Sequence, residues 1–505
     1  MSQKSSKGAA AAQYAAIAVL ALLAARTMMI WCPRIEDCKI NDYSPVLETA
    51  EYVSRGQPLY RDFRQMPLTA PSQYGPIVPI TVARLSHAFG GDSLAVLAAG
   101  RSLTIASTLL VCGLIFSLAR RAGATLSSSA IAALAFMVSP LVQKWGFEYR
   151  VDMPALAFNL AGLLAFQGGF GPGAILLFAA AFFTKQNALT GIGMVLLWLV
   201  LKGDFRRAAT FLMGYAFVVG ACLATLTVGF PFYWLNTFTA LGLYYDLTAP
   251  AAFLGHNVLY NVGLFTLAAY SLYQFGLTFC GCFFLIAMAG DSLSSLHWGG
   301  AIYYFLPTLA AAAILSGSAV DSLCDHAPAA PSLAAVLGIG GAVALSAAGI
   351  LAQLSGDIAL ISKHLLRSKA PVSIAIAPDR CLGGWDTHSL SVLRATPGVI
   401  VTDSEQLALV DPQPNLEFIE PMTMSALVAR GAFDDHELLR LIRQHRIAAF
   451  ALTSAGLEGK YRGIFGFWPA FRYAVADNYE VVPSSCEEVL MVPKGSLRRS
   501  ASDPK

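Results

Sequence analysis

The chain has 505 residues, of which 56% are apolar and only 13% charged, with a formal net charge of +3. Charged residues make up about a quarter of ordinary soluble domains, so a single soluble globule is excluded. So small a net charge gives no reason to expect a nucleic-acid partner. The composition is that of a polytopic α-helical membrane protein.

In chain order, the first apolar run extends from about Gln13 to Trp31 behind Lys4 and Lys7. It reads as an uncleaved anchor, because no convincing small-residue cleavage site follows it. Beyond it, Cys32 to about Asp92 forms a polar loop rich in acids and aromatics, out of place among apolar runs unless it works at the membrane surface. Within the loop, Pro76 to Phe89 reads as an interfacial or re-entrant stretch. Runs without Asp, Glu, Lys or Arg then recur, among them Met153 to Thr184, Ala208 to Tyr245 and Leu247 to Gly290. A helix needs about 20 apolar residues to cross the hydrocarbon, so the longest runs hold two spans. After the first, spans are expected over about 94–118, 126–142, 153–169, 172–184, 187–201, 208–229, 257–273, 275–290, 301–317 and 332–354, about eleven in all. The cluster Gly168-Gly169-Phe170-Gly171-Pro172-Gly173 marks the turn between the fourth and fifth.

Orientation follows from the basic loops. Placing Lys4, Lys7, Arg120, Arg121, Lys202, Arg206 and Arg207 in the cytoplasm leaves the 32–92 loop outside. The expected organisation is a membrane domain over 1–360 and a soluble α/β domain over 361–505, outside by odd span parity, in the plasma (inner) membrane. Strands are expected at Val372–Ile376, Val399–Thr402, Ala448–Thr453 and Val489–Val492, with a helix from Asp434 to His445. No nucleotide-binding glycine fingerprint is present, and no Cys/His spacing suits zinc. Cys112, Cys222, Cys280 and Cys282 fall in spans and read as core packing. Cys32 with Cys38, and Cys381 with Cys486, are disulfide candidates if that side is oxidising.

The outer face gathers the residues able to do chemistry. Asp42 lies beyond the first span with Glu36 and Asp37 before it. Glu148-Tyr149-Arg150-Val151-Asp152 stands at the start of the fourth span, and Thr184-Lys185-Gln186-Asn187 interrupts the fifth-to-sixth hairpin. Arg101, the aromatics Tyr74, Trp145, Tyr303 and Tyr304, and His256 with Asn257 join them. Taken singly, each has a plainer explanation: a solvated loop acid, a capping ion pair for Arg150 and Asp152, a snorkelling Lys185, a belt aromatic for Tyr304. Together, ionisable groups between apolar spans usually face a polar cavity or a partner. Their collection on one face suits an anionic ligand with a greasy tail.

An outer loop carrying Asp42 ahead of a helix, then Gly56-Gln57-Pro58-Leu59-Tyr60, Tyr74-Gly75-Pro76 and Gly100-Arg101, is followed by Arg150-Val151-Asp152-Met153-Pro154, Thr184-Lys185-Gln186 and Tyr304-Phe305-Leu306-Pro307. In order and sidedness this set resembles the GT-C superfamily of integral membrane glycosyltransferases. It is similar to the protein mannosyltransferases and to the transferases that put aminoarabinose on lipid A, over most of residues 10–320. The resemblance implies an inverting transfer of a sugar from a polyprenyl-phosphate donor to a glycan, lipid or protein acceptor at the outer membrane face. Asp42 would be the general base, Lys185 and Arg150 would bind the donor phosphate, and Asp152, Tyr304, Tyr74 and His256 would contact substrate, with Glu36 and Asp37 as alternative acids. One departure is that Asp42 stands between Asn41 and Tyr43 rather than beside a second acid. No cofactor is implied with certainty, no metal ligand is assigned, and a divalent metal stays open.

The rival class is a transporter or flippase of lipid-linked sugars, with a membrane scaffold as a third. A transporter should show internal repeats or broken helices with polar groups near mid-membrane. No repeat is visible in the sequence, and the polar residues gather at one surface.

Overall fold

The computed structural model describes residues 2–31, 44–65, 71–240, 245, 247–297, 301–325, 385–404, 407, 411, 415–419, 421–453, 469–484, 486 and 488–496. Asp42, Glu36, Asp37, the expected last span at 332–354, the strand at 372–376, and Cys32, Cys38 and Cys381 lie outside the described residues. Cys486 is disulfide-bonded.

Fourteen helices make up the described membrane part. The long helix α1 (Ser2–Trp31) is followed by the loop helices α2 (Ser44–Ser54) and α3 (Ile77–Ser86). The bundle continues with α4 (Ser93–Arg121), α5 (Leu126–Met137), α6 (Pro140–Trp145), α7 (Asp152–Gln167), α8 (Gly171–Thr184), α9 (Thr190–Leu201) and α10 (Phe205–Gly229). It closes with α11 (Ala249–Tyr260), α12 (Val262–Phe275), α13 (Phe279–Ser295) and α14 (Leu306–Asp325). Among the described residues, three helices are long and apolar enough to cross a membrane: Ser93–Arg121, Phe205–Gly229 and Ile302–Cys324. A bent pair, α11 with α12, passes as a fourth. Most of the other expected spans correspond to apolar helices of 10–17 residues, and the chain is a multi-pass membrane protein.

Two differences from the sequence expectation concern the later helices. The expected span 257–273 is a broken helix, turning by 95° between Tyr260 and Val262. At the break the Asn261 side-chain amide donates to the backbone oxygen and to Oδ1 of Asn257, beside the backbone bond from the Asn261 N–H to the same Asn257 oxygen. Cys222 is exposed on α10 rather than part of the core, while Cys280 and Cys282 are buried as expected. Helix α10 turns most of its apolar surface outward, with Met213, Phe217 and Val228 each more than 70% exposed, as suits a lipid-facing helix.

The expected stretch 76–89 is helix α3 followed by a short turn of 3-10 helix, and it packs on α2 and α4 rather than forming a span of its own. Val46, Val78, Val82, Val96 and Tyr149 share one buried cluster there. The described parts of the 32–92 loop are therefore folded down onto the helix ends.

The C-terminal part is a small five-stranded sheet of β1 (Ile400–Thr402), β2 (Leu416–Phe418), β3 (Ala449–Leu452), β4 (Tyr479–Val481) and β5 (Val489–Pro493). The strand order is β2-β1-β3-β5-β4. β1 runs parallel to β2 and β3, while β5 is antiparallel to β3 and β4. The helices Thr387–Ala395, Pro421–Ala429, His436–Arg443 and Pro469–Asn478 cover it. The expected strands at 399–402, 448–453 and 489–492 are present, and the helix expected over 434–445 is trimmed to His436–Arg443. The sheet core takes in residues from the membrane part. Phe63 of the loop between α2 and α3 and Ala240 beyond α10, both fully buried, sit in one cluster with Phe433, Ile442, Phe450 and Tyr479.

Candidate active site

Helices α7 and α8 form a hairpin of 16 and 14 residues, turning at Gly168–Phe170. Arms of matched length in an antiparallel hairpin bring the first residue of one to the end of the other. Asp152 opens α7, and Lys185 caps α8. The Lys185 ammonium lies 2.5 Å from Asp152 Oδ1, and Arg150 Nε lies 3.1 Å from Asp152 Oδ2. All three side chains are 8% exposed or less. Lys185 is thus not a snorkelling cation but one arm of a buried Arg–Asp–Lys group. Desolvating an ammonium ion is expensive, and a carboxylate in direct contact offsets that cost. Asp152 also adds a negative charge to the first turn of α7, where the helix dipole favours it.

Two tyrosines close the group from the other side. The Arg150 guanidinium stands 3.9 Å from the centre of the Tyr303 ring, and the Lys185 ammonium 4.0 Å from that of Tyr304. The two rings stack with centroids 5.1 Å apart, and Trp145 meets Tyr303 edge-on at 5.2 Å. Cations over aromatic faces gain more when shielded from water, up to about 2 kcal/mol or more each. The tyrosine pair lies in the turn before α14, and that turn is fixed by Asp291 of α13. Asp291 Oδ2 accepts from the Thr308 backbone N–H at 2.9 Å and from its hydroxyl at 2.6 Å.

Close backbone approaches set the remaining walls. At Gly75 a Cβ would fall 1.8 Å from the Phe183 carbonyl oxygen, so only glycine lets the Tyr74-Gly75-Pro76 segment lie against the end of α8. Tyr74 is buried there, near Arg150. At Gly100 a Cβ would enter the Tyr149 ring at 2.4 Å, so this glycine lets the 146–151 segment pack onto α4. That segment is further held by Thr108, whose hydroxyl donates to the Gly146 carbonyl at 2.5 Å. Asn159 secures the loop after α8: its amide donates to the Ala188 carbonyl, and its Oδ1 accepts the Gly191 N–H at 3.1 Å. The Gln186 amide reaches the Gln73 carbonyl at 2.9 Å, tying that loop to the segment before α3.

Of the predicted site residues that are described, Arg150, Asp152, Lys185, Tyr304 and Tyr74 come together. His256 does not join them. It is exposed on α11, its Nδ1 within 2.7 Å of the Ala252 carbonyl and its ring beside Tyr260. Tyr303 belongs in the group as fully as Tyr304. Asn159, Gln73 and Tyr149 were missed. The glycines at 100 and 191, which approach Tyr149 and Asn159, were the available signals for two of these, since a glycine in an ordered apolar setting often marks close approach.

Among the described residues, both oxygens of Asp152 are held by cations, so the donor set there does not suit a divalent metal. One group of three potential ligands, Asp434, Asp435 and His436, lies in the soluble part, two of the three exposed.

No protein-family model and no curated protein matches the chain by sequence. Solved structures match it over almost the whole length. The apo ArnT from Cupriavidus metallidurans superposes with a TM-score of 0.61 at 15% identity, covering 97% of this chain and 100% of that one. The same protein bound to undecaprenyl phosphate gives 0.58 at 16% identity, covering 97% and 99%. The oligosaccharyltransferase of Archaeoglobus fulgidus, tethered to an acceptor peptide containing the NVT sequon, gives 0.50 at 12%, covering 94% and 74%. The chain therefore shares the fold of ArnT and of the Archaeoglobus oligosaccharyltransferase, a fold of the kind the sequence resemblance implied.

Proposed function

We propose that this chain is an inverting glycosyltransferase that moves a sugar from a polyprenyl phosphate to a glycan, lipid or protein acceptor at the outer face of the plasma (inner) membrane. The observation that carries it is the buried Arg150–Asp152–Lys185 group against Tyr303 and Tyr304, in a fold shared with an enzyme solved with undecaprenyl phosphate. A lipid-phosphate leaving group gains negative charge as the sugar departs, and fixed cations in a water-poor setting stabilise that charge. Lys185 spends one N–H on Asp152 and has two more to offer. Arg150 presents a planar fork suited to phosphate. Asp152 holds the two cations in place, and Tyr74 and Tyr304 bound the space for the sugar. Asp42, in the sequence position of the family's acid, serves as general base on the acceptor hydroxyl. Attack opposite the lipid phosphate inverts the anomeric centre. No step is routed through a metal. On this reading the sheet domain, residues 361–505, stands outside the cytoplasm with the outer loop.

The second reading, a flippase of lipid-linked sugars, draws on one specific observation: the 95° break between α11 and α12 with Asn257 and Asn261 buried beside it. Discontinuous helices with polar groups are a transporter feature. Purified protein in proteoliposomes, supplied with radiolabelled sugar on a polyprenyl phosphate and a cell-envelope acceptor extract, separates the two. Covalent transfer of label, abolished by Asp42→Asn with donor binding retained, supports the transferase. Label that crosses the bilayer still attached to its lipid supports the flippase and ends the transferase proposal.

A further inference from the structure

A second buried carboxylate stands behind the tyrosines. Asp291 lies near the end of α13 and is 5% exposed. Its Oδ2 accepts both the N–H and the hydroxyl of Thr308, a fully buried residue in the first turn of α14. The first N–H groups of a helix have no partner within it, and a carboxylate placed there also suits the helix dipole. Asp291 thus caps the start of α14 from a neighbouring helix.

Immediately before that start is the turn Ile302–Phe305, which carries Tyr303 and Tyr304 and runs straight into Leu306 of α14. The Tyr304 N–H donates to the Ala301 carbonyl at 3.0 Å, and Phe305 and Leu306 are buried, so the turn moves with the helix start. On its other side α13 packs against α9, which begins at Thr190 just after the Lys185 loop. At Gly290, next to Asp291, an added Cβ would lie 4.0 Å from the Thr190 hydroxyl. Asn159 of α7 holds the same start of α9 through the Gly191 N–H. Asp291 therefore joins the helix braced beside the Lys185 loop to the turn that bears the two tyrosines. The spacing of these two parts sets the 4.0 Å between the Lys185 ammonium and the Tyr304 ring.

We propose that Asp291 is a positioning residue of the donor site: its cap on α14 holds Tyr303 and Tyr304 against Arg150 and Lys185, and so sets how well these cations select a lipid phosphate. The identity of the ligand rests on the transferase proposal; the cap itself rests on the hydrogen bonds to Thr308. Without the carboxylate, the Thr308 N–H and hydroxyl are left buried at the cost of their desolvation. The start of α14 must then shift to find another acceptor, and it carries both rings with it. Arg150 and Lys185 lose the aromatic faces that fix their direction, and a site that is no longer preorganised binds its anion more weakly.

The test compares farnesyl phosphate with farnesol as ligands of the full chain in lipid nanodiscs. The two share a lipid tail and differ in the phosphate, so the ratio of their affinities isolates the site from the tail groove. The wild type should prefer the phosphate. Asp291→Ala should lower that preference by at least about tenfold, equivalent to about 1.4 kcal/mol, with farnesol affinity unchanged. Asp291→Asn keeps an oxygen able to accept both Thr308 bonds and should restore most of the preference. Should the alanine variant not fold, Thr308→Val keeps the side-chain shape, removes the hydroxyl bond alone and should lower the preference by about threefold. An unchanged preference in Asp291→Ala, or in Thr308→Val where it stands in, overturns the proposal. So does an equal loss of both ligands, which marks a merely structural role, or an asparagine variant as weak as the alanine one. In each of these cases a wild type that prefers the phosphate leaves the transferase reading standing. A wild type without preference removes the phosphate assignment and the role of Asp291 together.

Discussion

The Arg150–Asp152–Lys185 group and the charged helix His436–Arg443 of the soluble part use the same residue types in opposite settings. In the first, three charges are almost wholly buried and each is fixed by the others and by aromatic faces. In the second, Glu437 and Arg440 pair at 2.6 Å while both remain more than half exposed. Water solvates either partner of an exposed pair when the other is lost, and side-chain entropy offsets most of the gain. Inside the helix ends no such substitute exists. Burial, not pairing, decides which charges the fold depends on.

Removing the central acid should have the largest effect. Asp152→Asn removes the carboxylate that contacts both Arg150 and Lys185, and breaking a buried ion group in this way costs about 3–5 kcal/mol. Thermal unfolding of the purified variant checks this: a large drop in midpoint or failure to recover folded protein is expected, and a wild-type midpoint would show that the group is solvated. Next comes Gly75→Ala. Its new methyl meets a backbone oxygen at 1.8 Å that cannot rotate away, so the segment before α3 must lift from α8, at about 1–3 kcal/mol by the scale of overpacked cores. Reduced thermal stability with increased proteolysis within 59–76 is the expected outcome. At the small end, Glu437→Gln should leave the thermal midpoint unchanged within error.

Much of the site was legible in the sequence because its order along the chain follows membrane geometry. Arms of similar length on either side of the 168–173 turn place residue 152 near 185, so the Asp152–Lys185 contact could have been read from that turn. The break at Asn261 was invisible for a different reason. It falls within a stretch from Leu247 to Gly290 free of charges, where hydropathy does not separate one helix from two. His256 shared the apparent side of the site but not its direction, since helical residues next to a turn can point outward to lipid. In the soluble part, β2 and β4 have three residues each with a glutamate in the middle, so neither stands out, whereas β1, equally short, is Ile-Val-Thr within an apolar run.

The most direct measurement of the central claim is the affinity of reconstituted protein for a short-chain polyprenyl phosphate, compared between the wild type and Lys185→Arg. Arginine keeps the charge that Asp152 needs, so the fold and thermal midpoint should be nearly unchanged. It replaces a compact ammonium by a wider fork, and so alters what can meet a phosphate beside Tyr304. If the group receives the donor phosphate, the variant should bind several-fold more weakly at an unchanged midpoint. Equal affinity in the two proteins would contradict the assignment and leave Lys185 as a structural partner of Asp152.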